Sequence, residues 1–194
     1  MTLNSTAGAM TIKGAATANR DMTMQAQHAL NTTGKLTAGN DMKLTSTDGT
    51  MTIGGDASAD HNLSLTSKGN METTGNLTAG YNAALTSTNG SMIINGDVTA
   101  VNSEIALKSN GDMQTSGKLT AGSDAKLNST AGAMTIGGAV TANRNIVIES
   151  KNALNTTGKL TAGTDMELTS TAGAMAIGGD ASADHDDHRW GCFR

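Results

Sequence analysis

The chain copies itself. LNSTAGAMTI at 3–12 recurs unchanged at 127–136, and ALNTTGKLTAG at 29–39 recurs at 153–163. GKLTAG or GNLTAG begins at Gly34, Gly75, Gly117 and Gly158, spacings of 41, 42 and 41 residues. Each long unit halves again. Rows opening on glycine start at Gly14, Gly34, Gly55, Gly75, Gly96, Gly117, Gly138, Gly158 and Gly179, an elementary period of 20 or 21 residues. A period this short gives each unit too little apolar surface for a core of its own, so neighbouring units must stack.

Aligning the nine rows exposes columns. The fifth place is always alanine: Ala18, Ala38, Ala59, Ala79, Ala100, Ala121, Ala142, Ala162 and Ala183. Two places earlier stands Ala16, Leu36, Ala57, Leu77, Val98, Leu119, Val140, Leu160 or Ala181. The place between is a hydroxyl: Thr17, Thr37, Ser58, Thr78, Thr99, Thr120, Thr141, Thr161 and Ser182. Period two is the signature of a strand, which sends alternate side chains to opposite faces. The alanines are therefore expected inside and the hydroxyl ladder outside. Second and third alternating pairs follow in each row, such as Met42 with Leu44 and Met51 with Ile53; in alternate rows the third pair softens to Met71 with Thr73 or Leu154 with Thr156.

Three short strands and three turns per row predict an all-β fold: a single-stranded parallel β-helix solenoid of about nine coils. At about 4.8 Å per coil it would be a rod roughly 43 Å long, right-handed by the usual crossover preference. Composition agrees. With 24 glycines, 30 threonines, no proline and three aromatic residues, the chain lacks ring-based packing and is poor in helix formers. A net charge of −4 argues against a nucleic-acid partner, and no apolar run is long enough to insert into a membrane. The single Cys192 leaves no internal disulfide and no cysteine-based metal cluster.

Catalytic chemistry is not visible. No nucleophile, base and orienting residue recur together, so no enzyme, cofactor or metal site is expected. The hydroxyl ladder could order water, as ice-binding solenoids do, but such a face needs two threonine columns and here the partner place belongs to the inward alanine. An Asn/Asp column (Asp21, Asp41, Asn62, Asn82, Asp124, Asn145, Asp165) lacks the spacing of calcium-binding rolls and reads as turn-capping. His185, Asp186, Asp187 and His188 cluster in the tail, where a solvated irregular segment is the simpler reading than a metal site. Seven Asn-x-Ser/Thr triplets, at Asn4, Asn31, Asn62, Asn76, Asn89, Asn128 and Asn155, indicate a polar surface.

The rows GKLTAGNDMKLTSTDGTMTI at 34–53 and GKLTAGTDMELTSTAGAMAI at 158–177 resemble the haemagglutinin repeats of filamentous-haemagglutinin-like adhesins, large exoproteins of Gram-negative two-partner secretion systems. The resemblance runs from residue 1 to about 184. It implies a right-handed β-helix shaft and a secreted or cell-surface location for the parent protein. Its implied partners are an outer-membrane transporter during export and a host or neighbouring-cell surface afterwards. Shafts of contact-dependent inhibition toxins look similar, and a carbohydrate- or ice-binding face is a further reading. The sequence thus divides into a shaft, 1–184, and a non-repeat tail, 185–194. GDASADH at 179–185 copies 55–61, but where NLSLTSK should follow the chain reads DDHRWGCFR. That break predicts an irregular or frameshifted tail on a shaft fragment.

Overall fold

In the computed structural model, which describes residues 1–184 and the backbone of 188–192, the chain winds as a parallel β-solenoid with three strands per coil and no helix among the described residues. Every third strand joins the same sheet. Sheet A has ten strands, from Thr2–Ser5 to His188–Cys192; sheets B and C have nine each, from Met10–Ile12 to Met175–Ile177 and from Ala16–Ala18 to Ala181–Ala183. All pairings are parallel and keep like on like, as in Met42–Leu63–Ala83–Ile105 along sheet A and Ala79–Ala100–Ala121 along sheet C.

Strands of sheet A are five residues long after the first, and those of B and C are three. Alternation then turns three side chains inward from A and two each from B and C. In one coil these are Met42, Leu44 and Ser46, then Met51 and Ile53, then Ala57 and Ala59, all at most 3% exposed. Their counterparts in successive coils join one continuous core. The interior is a narrow column of aliphatic groups, which is why a chain with three aromatic residues fills it.

The corner from sheet B to sheet C has a volume rule. Where the last inward residue of B is isoleucine (Ile12, Ile53, Ile94, Ile136, Ile177), the first of C is small: Ala16, Ala57, Val98, Val140, Ala181. Where B ends in threonine (Thr32, Thr73, Thr115, Thr156), C begins with Leu36, Leu77, Leu119 or Leu160. One large and one smaller side chain thus share this corner in every coil, and large alternates with small up each column. The 41-residue repeat is the period of that alternation.

Glycine at the corners answers to crowding. Among the described residues none, glycine included, has a positive φ, so the corners are not left-handed turns. Instead the corners stack backbone on backbone. A Cβ added to Gly75 would lie 2.2 Å from the Gly55 carbonyl, and one on Gly96 would lie 2.1 Å from the Gly75 oxygen. Only a residue without Cβ fits such an approach.

The tail also differs from the expected irregular segment. His188–Cys192 forms a strand in register with Met166–Ser170. Main-chain groups on an open parallel edge pair with any extended segment, whatever its side chains. Residues 185–187 and 193–194, and the side chains of the tail histidine and aspartate cluster, lie outside the described residues.

Candidate functional site

The alanine column lies in the interior. Ala38, Ala79 and Ala100 are fully buried, Ala18, Ala59, Ala121, Ala142 and Ala162 nearly so, and Ala183 packs half-buried at the last complete coil. The hydroxyl ladder from Thr17 to Ser182 faces out along sheet C, exposed or half-exposed at every rung. It is one residue wide, because each strand of sheet C has a single outward place between two inward ones.

The Asn/Asp column sits at the corner between C and A and binds coil to coil. The Asp41 Oδ1 accepts from the backbone N–H and the side-chain amide of Asn62, both at 3.0 Å. The Asn62 Oδ1 accepts from Asn82 N at 3.3 Å and Nδ2 at 3.0 Å. Asp124 accepts from Asn145 N at 3.2 Å, and Asn145 from Asp165 N at 3.2 Å. These side chains cap the next coil's backbone instead of their own turn.

Two further ladders of the same kind escaped the sequence reading. At the B–C corner Asp56 accepts from Asn76 N, Asn76 from Asp97 N, and Asp97 from Lys118 N, at 2.8, 3.0 and 2.8 Å. At the A–B corner Asn70 accepts from Ser91 N and Asp112 from Ala133 N. An inward serine file lines that same corner. Ser67, Ser87, Ser109, Ser129 and Ser170 donate to turn carbonyls at 2.7–2.8 Å. The visible signal was the serine that closes most of the mid-row strands, as in LTS at 65–67, LKS at 107–109 and LNS at 127–129. In contrast, the Oγ1 atoms of Thr32, Thr73, Thr115 and Thr156 are buried without a partner. Their methyl-sized volume, not their hydroxyl, explains their place.

Charge is scattered and exposed. Lys68 pairs with Asp48 at 2.6 Å, Lys126 with Glu104 at 2.8 Å, and Arg144 with Asp124 at 2.9 Å. The Asn40 side-chain amide and the Asp41 N–H hold the Asp21 carboxyl below its ordinary range. Lys68 does the same for Asp48, and Glu104 raises Lys126. Apart from Asp124, which is only 7% exposed, these are surface groups whose pairing salt screens. His61 and Tyr81 meet edge to face, ring centres 5.4 Å apart, with Tyr81 49% exposed. On sheet A, Ala84, Ala106 and Val147 floor a shallow depression of about 430 Å³ rimmed by Lys108, Lys126 and Glu149. No three metal-binding side chains converge among the described residues. What recurs in this molecule is therefore the winding, with its stacked, cross-bonded corners, and not a reactive constellation.

Residues 2–50 match the haemagglutinin repeat family. No curated protein and no solved structure matches the chain. The matched stretch holds the strings that recur at 127–136 and 153–163, so the same repeat continues well beyond it. Together with the solenoid, the match fits a filamentous-haemagglutinin-like shaft.

Proposed function

We propose that this chain is a stalk segment of a large secreted bacterial surface protein of the adhesin type, serving by length and stiffness and carrying no catalysis. The carrying observation is the unbroken register of three parallel sheets over all nine coils, in a chain whose first part matches the haemagglutinin repeat. Each coil is tied to the next by backbone ladders on all three sides and by side-chain ladders at the corners, which resist bending. A two-partner exoprotein would pass through an outer-membrane transporter and hold its distal domain, adhesive or toxic, towards a host or neighbouring cell. The one-residue-wide threonine rank speaks against an ice-binding face.

The purified chain separates a stalk from a binding face. Small-angle scattering should give a rod about 43 Å long from nine coils at about 4.8 Å. A glycan array and a thermal-hysteresis assay should stay at background. Saturable glycan binding, or hysteresis, would replace the stalk reading with a ligand face.

A further inference from the structure

Three Asn-Gly pairs occur in this chain, Asn89-Gly90, Asn95-Gly96 and Asn110-Gly111. The first two stand at the A–B and B–C corners of one coil and the third at the A–B corner of the next. In such a pair the glycine nitrogen can attack the asparagine side-chain amide, because no Cβ shields it. What the sequence leaves equal, the structure makes unequal.

At Asn110-Gly111 the nucleophile is engaged, since the Gly111 N–H donates to the Gly90 carbonyl at 2.8 Å. A peptide N–H held in a hydrogen bond is harder to deprotonate. The Gly96 N–H donates to no acceptor among the described residues, so although Gly96 is buried at its corner, deprotonating it breaks no hydrogen bond. The electrophile differs too. The Ser116 hydroxyl, one coil on, donates to the Asn95 Oδ1 at 3.1 Å. This polarises the amide carbonyl and stabilises the negative charge that grows on that oxygen during attack, as an oxyanion donor does. Thr130 donates likewise to Asn110 at 3.1 Å, but there the nitrogen is tied. Among the described residues the Gly90 N–H likewise donates to no acceptor, but no hydroxyl donates to the Asn89 amide. Asn95 alone combines a free nitrogen with an activated carbonyl, and its side chain stands in water.

We infer that Asn95 is a self-modifying site, deamidating through a succinimide with Ser116 as the activating hydroxyl. The Gly96 nitrogen gives up its proton and bonds to the Asn95 Cγ, whose bond to Nδ2 then breaks to release ammonia. Water next opens the imide at one of its two carbonyls, leaving aspartate or isoaspartate. The net change is one water consumed and one ammonia released, with no other reactant. The isoaspartate product lengthens the main chain by one carbon at a corner where a Cβ on Gly96 would lie 2.1 Å from the Gly75 oxygen and one on Gly117 2.1 Å from the Gly96 oxygen. Modification thus loosens this one coil.

The folded chain is incubated in mildly alkaline buffer and sampled over days, by peptide mapping for amide loss and by isoaspartyl methyltransferase labelling. Asn95 should convert at least about threefold faster than Asn89 and Asn110, and Ser116→Ala should slow it by a similar factor. Aged protein should melt at a lower temperature than fresh. In urea, with the hydroxyl and the corners gone, the three sites should react at similar rates; this comparison needs no variant and stands even if Ser116→Ala folds poorly. Equal rates at the three sites in the folded chain would overturn the assignment, as would a well-folded Ser116→Ala chain that deamidates at Asn95 unchanged.

Discussion

Single side chains in this molecule act through their copies one coil away. Ala121 stacks on Ala100 and Ala142 in strict register and is 1% exposed. A leucine there has neither room nor a neighbour able to yield, and Ala121→Leu should cost roughly 1–3 kcal/mol, read as a fall in the thermal midpoint by circular dichroism. An unchanged melt would put this column in water. The inward alanines and outward hydroxyls were legible in the sequence because period two fixes faces without reference to anything distant. The ladders from Asp41 to Asn82 were seen as a column but assigned to local turns. Their true partner is the equivalent residue about 20 places on, a contact that turn preferences do not describe. Likewise Gly75 and Gly96 stand at their corners because carbonyls press on them, a contact with the preceding coil that no local reading of the sequence describes.

At the scale of the strand and its corner, the unit of packing is a pair. Thr115 and Leu119 close one B–C corner, Ile94 with Val98 and Ile136 with Val140 the corners on either side. Thr115→Ile should overfill its corner at about 1–3 kcal/mol. Leu119→Val should underfill it at about 0.5–1.5 kcal/mol. Made together they should cost less than the sum of the two, with a coupling of about 0.5 kcal/mol or more, since the added and removed carbons share one space. Strict additivity in a thermal double-mutant cycle would show that the two columns do not meet. Both columns stood in the sequence, where the threonines looked like a weakened version of the isoleucine rows. Their link appears once the two strands are seen to turn around a single corner.

Across the whole molecule, alternation makes the double coil the conserved quantity. Deleting Gly75–Ser116 joins Thr74 to Gly117 and leaves every corner with one large and one smaller residue. Deleting Gly96–Ser116 alone joins Asn95 to Gly117, sets Ile94 beside Leu119 and stacks Ile94 on Ile136. In a solenoid whose stability grows with each rung, the longer variant should be the more stable. The expectation here is the reverse: the one-coil deletion should melt at a lower temperature than the two-coil deletion. A melting order that follows length alone would remove the packing rule.

Because the backbone bonds of all three sheets run along the axis and each rung is held by its neighbours alone, a pull on one end of the chain loads only the outermost rung. Force therefore peels the shaft turn by turn, each released row paying out about 70 Å of slack. When tension drops, the freed row finds a waiting edge that matches its own pattern. Such a tether gives way in small steps and rewinds, lengthening under load where a cooperatively folded globule would break open at once.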